Sequence, residues 1–137
     1  MKKSIICFLI MATSLHLSAQ DDKAQIEQTL ITFVDGWAVG DSTQSGKSLH
    51  PTWRIKFFRD NKLTDMTRTE YLNSFKPKER YKELKFNVLS IDITGNIAMA
   101  KTEIINEKFI FIDYLSLIKT NEGWVMVEKI TFKKDKI

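Results

Sequence analysis

Asp113 is the residue whose surroundings ask for a chemical explanation. It stands inside Lys108 to Lys119, K-F-I-F-I-D-Y-L-S-L-I-K, a run of β-branched and aromatic side chains. A carboxylate in such company is costly unless a cation or hydroxyl pairs with it or a wet cavity reaches it, and its pKa ordinarily rises. Facing a cavity within hydrogen-bond reach of a substrate, Asp113 could remove a proton beside a carbonyl. Paired with a lysine or a tyrosine hydroxyl, it would be structural. Lys129 is the candidate partner. Whether the two share a face depends on the register of the hairpin around Asn121-Glu122-Gly123, and one residue of slip reverses the answer.

His50 is the second candidate, since imidazole titrates near neutrality and suits acid-base work or ligand binding. Its position before Pro51 also suits a plain turn residue. Trp37, Trp53, Tyr71, Phe75 and Tyr114 could wall a pocket for a stacked heterocycle, and each could equally be core. Strand alternation sets Asp113 with Phe109, Phe111, Leu115 and Leu117, and turns Tyr114 the opposite way. Tyr114 therefore cannot assist Asp113 in catalysis.

The ends and the composition narrow the chemistry further. Met1-Lys2-Lys3, a mostly apolar run from Ser4 to Leu17 and Ser18-Ala19 describe a secretory signal cut after Ala19, with an uncleaved anchor as the competing reading. Cys7 lies in the apolar run without the Leu-x-x-Cys setting of a lipoprotein. The remainder, residues 20–137, is one domain of ordinary size. Removing Lys2 and Lys3 while keeping every acidic residue lowers the net charge from +4 to +2. This is too little for a nucleic-acid surface. The cut also takes the single cysteine and His16, which excludes disulfides, thiol nucleophiles and His-pair metal sites from the mature chain. Neither a cofactor nor a metal is expected.

The elements that must position these residues follow from periodicity. Ile26, Leu30, Phe33, Val34 and Trp37 line one face of a helix, capped at Asp21 or Asp22 with Gln25 in capping-box position, loosened at Gly36 and ended at Gly40. Asp41 to Leu49 is a short helix or loop. Trp53 to Phe58 and Leu63 to Met66 form a hairpin around Arg59-Asp60-Asn61-Lys62. Thr67 or Thr69 starts a helix carrying Tyr71, Leu72 and Phe75, ended by Pro77. Lys76 to Lys85 is a solvated, mixed-charge connector. Four antiparallel strands follow: Leu84–Ile93, Ile97–Ile105, Phe109–Ile118 and Trp124–Phe132. The third is apolar enough that both its faces should be covered.

This order, with Leu49-His50-Pro51, the Asp113-Tyr114-Leu115-Ser116-Leu117 run, and Gly123-Trp124 with Val127 and Lys129, resembles the nuclear transport factor 2-like superfamily. Ketosteroid isomerases and polyketide cyclases share that α+β fold. Within it the chain is most similar to the putative lumazine-binding branch of exported bacterial proteins. The resemblance implies a strongly curved antiparallel sheet wrapped around the N-terminal helix, a cone-shaped cavity open at one end, and a homodimer joined through sheet faces. In the isomerase and cyclase relatives a cavity carboxylate is the general base, the part Asp113 would play, with a tyrosine or second acid on the oxyanion. Fold alone does not settle function. The expectation is an exported, periplasmic or secreted domain that binds a small flat apolar or heterocyclic molecule, a pterin-like one among the candidates, without nucleic-acid partners. The alternatives are an isomerase, dehydratase or cyclase using Asp113, and a structural or protein-interaction module.

Overall fold

The buried stripe Ile26, Leu30, Phe33 and Val34, each 4% exposed or less, fixes the face that helix α1 turns to the rest of the chain. In the computed structural model, which describes the backbone of residues 3–137 and the side chains from Ser18 onward, α1 runs Lys3–Val39. Most side chains of the expected signal segment, Cys7 and His16 included, lie outside the described residues. Because α1 starts upstream, the expected cap at Asp21 or Asp22 is not one. Asp21 instead accepts from Gln25 Nε2 at 2.8 Å, and Asp22 accepts from Lys119 Nζ at 2.6 Å and Trp124 Nε1 at 3.0 Å. Asp22 thus pins the helix to the sheet.

Gly36 does not loosen the helix. A Cβ there would stand 2.5 Å from the Ser45 backbone nitrogen, so the missing side chain is what lets α2, Ser42–Gly46, lie against α1. Gly40, at φ +71°, ends the helix in the left-handed conformation glycine tolerates. Asp41 caps α2 by accepting from Gln44 N at 2.9 Å.

Strands β1 (Leu49–Arg59) and β2 (Lys62–Thr67) form the expected hairpin, turned by Asp60 and Asn61 at positive φ. Helix α3, Arg68–Asn73, opens with a complete capping box between Thr67 and Glu70. After the connector come β3 (Lys85–Thr94), β4 (Ile97–Ile105), β5 (Phe109–Thr120) and β6 (Gly123–Asp135).

All six strands make one curved, unclosed sheet in the order β2-β1-β6-β5-β4-β3. It is not wholly antiparallel, because β6 returns beside β1 and pairs with it in parallel. Two bulges bend it: Leu89 is the extra residue of β3 against β4, and Val127 the extra residue of β6 against β5. The concave face packs Ala98, Ala100, Leu115, Leu117, Trp53 and Met126 against α1. The convex face is open in the single chain, with Tyr114, Ile118, Ile130 and Phe132 exposed. The expectation that both faces of β5 are covered therefore holds on one face only within the single chain. Among the described residues no helix is long and apolar enough to cross a membrane.

Candidate functional site

The Val127 bulge decides the orientation of the last strand. The two-residue turn at Asn121-Glu122 pairs Thr120 with Gly123 and Leu117 with Met126, and an unbroken ladder from there would turn Glu128 inward and Lys129 outward. With Val127 set aside, Leu115 pairs with Lys129 and Asp113 with Thr131. Lys129, Thr131 and Lys133 consequently all face the concave side.

There they meet a cavity of about 660 Å³. Ile55, Phe57, Phe58 and Arg59 from β1 line it, with Met66 from β2, Tyr71 and Ser74 from and beside α3, Ile104 from β4, Phe111 from β5, and Trp37 from α1; Lys129, Thr131, Lys133 and Asp135 come from β6. Exposure falls along β6, from 46% for the Lys133 side chain to 7% for that of Lys129, so Lys129 marks the deep end. Most of the wall is apolar or aromatic, as small-molecule pockets usually are.

Lys129 Nζ donates to Asp113 Oδ2 at 3.0 Å and lies 5.0 Å from the centre of the Phe33 ring. Asp113 is 2% exposed, and its Oδ1 has no partner among the described residues. Burial, and after it the negative charge of Asp113, push the Tyr71 hydroxyl far above its usual range, so it stays protonated and able to donate. Three further buried polar atoms, Trp53 Nε1, Asn106 Nδ2 and Thr131 Oγ1, also lack partners among the described residues.

Of the residues singled out from sequence, Trp37 and Tyr71 reach the cavity wall. Trp53 is fully buried and packs its ring on Tyr71 at 5.0 Å, and Phe75 meets the other side of Tyr71 edge-on at 5.1 Å. Both support the wall from behind. Asp113 lies behind it too, joined to it through Lys129. Tyr114 stands on the convex face under Lys101, away from the cavity. His50 bonds Thr52 Oγ1 at 2.7 Å in the irregular start of β1, also outside the cavity. The connector is more than a solvated link: Tyr81 stacks on Trp37 at 5.3 Å, and Lys78 lies over both rings.

Sequence reasoning missed Arg59, Met66, Ile104, Thr131 and Lys133. Thr131 and Lys133 sit two and four residues past Lys129, so alternation would have named them once Lys129 was known to face inward. Among the described residues no group of three or more His, Cys, Asp or Glu side chains is placed to hold a metal ion.

A bent sheet clasping a long helix over such a cavity defines a nuclear transport factor 2-like domain, and solved structures agree. An NTF2-like protein of unknown function from Shewanella baltica OS155 superposes with a TM-score of 0.76 at 25% identity, over 85% of this chain and 96% of that one. One from Methylobacillus flagellatus KT gives 0.73 at 22% identity, over 83% and 93%. A domain of unknown function with a cystatin-like fold from Nostoc punctiforme PCC 73102 gives 0.67 at 16% identity, over 85% and 80%. The chain belongs to the family described as Putative lumazine-binding, which it matches over residues 21–132. No curated protein matches it.

Proposed function

We propose that this protein is an exported domain that holds a small, flat, mostly apolar or heterocyclic molecule in its concave cavity and works as a homodimer. The cavity carries this reading: about 660 Å³ walled by Trp37, Phe57, Tyr71 and Phe111, with a buried ammonium at its deep end. A pterin-like ring suits those walls in size and flatness, and the family's name points the same way. Export rests on the Lys2-Lys3, apolar run and Ser18-Ala19 pattern. The dimer rests on the convex face, where Tyr114 pairs with Ile130 and Ile112 with Phe132 across the ladder, an apolar surface that a second copy would cover.

The test is direct. Purified protein examined by native mass spectrometry and by thermal shift against pterins, flavins and steroids should carry a small mass or melt higher as ligand increases. Silence toward all three classes would leave the structural or protein-interaction reading.

An isomerase, dehydratase or cyclase is the second reading, favoured by the unpartnered Oδ1 of Asp113. It ranks second because Asp113 Oδ2 is committed to Lys129 and the carboxylate stands behind the wall. Turnover of an identified substrate that survives Asp113→Asn would remove Asp113 as the general base.

A further inference from the structure

Three of the four arginines are engaged within the fold, and the fourth stands at the mouth of the cavity. Arg54 pairs with Asp65 and Arg80 with Asp35, each at 2.9 Å, and Arg68 donates to the backbone oxygens of Leu49 and Gly46. Among the described residues no carboxylate lies within ion-pairing distance of Arg59. Its guanidinium instead lies over the Phe57 ring, 4.9 Å from the centre, and both side chains line the cavity. Lys133, in the same lining, lies over the Phe109 ring at 5.2 Å. Strands β1 and β6 run in parallel with Phe57 beside Thr131, so Arg59 and Lys133, each two residues further on, reach the same face at the same end. That end is the mouth, because Lys133 is the exposed end of the row that Lys129 closes.

Charge and shape at this mouth narrow what a ligand carries there. Asp135, also at the mouth, accepts from Lys133 at 2.7 Å with its side chain 76% exposed, so the three groups together leave one positive charge. A planar guanidinium offers two parallel N–H groups, the geometry that grips a carboxylate. One negative charge balances the mouth, whereas a phosphate monoester, close to doubly charged at neutral pH, would exceed it. We propose that the ligand is an amphiphilic acid, its flat apolar body between Trp37, Phe57, Tyr71 and Phe111 and its carboxylate emerging onto Arg59 with Lys133 alongside. From Lys129 to Lys133 the strand rises about 13 Å, at about 3.3 Å per residue, so a short chain joins the ring to the acid. The proposal rests on the cavity being a ligand site, and it adds which charge the ligand bears and at which end.

Titration calorimetry with three probes of one shape tests it: naphthylbutyrate, its primary amide, and naphthylpropyl phosphate. The carboxylate should bind about fivefold tighter than the amide, the effect of a partly exposed ion pair, and added salt should shrink the gap. Arg59→Met keeps an apolar stem over Phe57 and removes the charged fork. It should bring the carboxylate down to the amide's affinity and leave the amide unchanged. Lys62→Met takes the same charge from the facing position on β2, outside the cavity wall, and should leave the gap in place. Equal binding of carboxylate and amide, a preference for the phosphate, a gap that survives Arg59→Met, or one that Lys62→Met closes as fully would overturn the anionic mouth and leave the cavity as a ligand site. Failure of all three probes in a protein that binds pterins, flavins or steroids would do the same. Failure of all three with silence toward those classes as well would overturn both.

Discussion

Asp113 and Lys129 form an ion pair almost sealed from water, their side chains 3% and 7% exposed. Such a pair recovers much of its desolvation cost only while both members are present. Lys129→Met should therefore cost about 3–5 kcal/mol in urea denaturation, because Asp113 is left buried without its counter-charge. Asp113→Leu combined with Lys129→Met should recover most of that loss. A double variant as unstable as the single one would mean that the pair fixes the sheet rather than merely balancing itself. The sequence announced Asp113 by its apolar neighbours and proposed Lys129, but the pairing hung on one residue of register. Strand alternation had also marked Tyr114 as facing away from Asp113, and it proved to face away from the cavity altogether. His50 bonds Thr52, two residues along the chain, rather than anything in the cavity.

At the scale of elements, local signals were legible where the chemistry is local. The Thr67 capping box, the Asp60-Asn61 turn and the Ile26 to Trp37 stripe each follow from a few adjacent residues. The Val127 bulge does not, because it arises where β5 and β1 both meet β6 out of step: the β1 register against β6 breaks between Leu49 and Arg54, at the same level. Gly36 was readable as a glycine but not as a contact, since Ser45 reaches it only after the chain folds back. Gly36→Ala should cost about 1–3 kcal/mol, measured by chemical denaturation, as backbone atoms of Ser45 and Asp41 occupy the space together with the Ser45 hydroxyl. Asp22 supplies a pH signature. Its carboxyl is held below the ordinary 3.8, chiefly by the hydrogen bond from Lys119 and next by that from Trp124. A lowered folded pKa gives stability that is present above the unfolded value and lost as pH falls through the folded one. Asp22→Asn should thus lower the melting temperature at neutral pH, and the gap from wild type should close as pH falls below 3.8. A gap that persists in acid would mean the hydrogen bonds matter without the charge.

For the whole molecule, the curvature that hollows the concave side also presents Ile130 and Phe132, 54% and 62% exposed, on the convex side. Apolar strand residues on an open face are what a second copy would bury, which is why β5 reads as a strand covered on both faces. Ile130→Glu should turn a dimer into a monomer in sedimentation velocity and leave the cavity's affinity unchanged. A wild-type protein that sediments as a monomer at every concentration would remove the dimer from the account.

The claim on which the others depend is that the hollow is a binding site, and titration calorimetry with a cavity-filling variant tests it most directly. Met66 lines the hollow from the edge strand β2, so Met66→Trp should fill part of it with little disturbance of the core. The prediction is one pterin, flavin or steroid molecule bound per chain, with affinity sharply reduced by Met66→Trp while the melting temperature of the free protein is nearly kept. Heat of binding that Met66→Trp leaves untouched, or none from any of the three ligand classes, would contradict it.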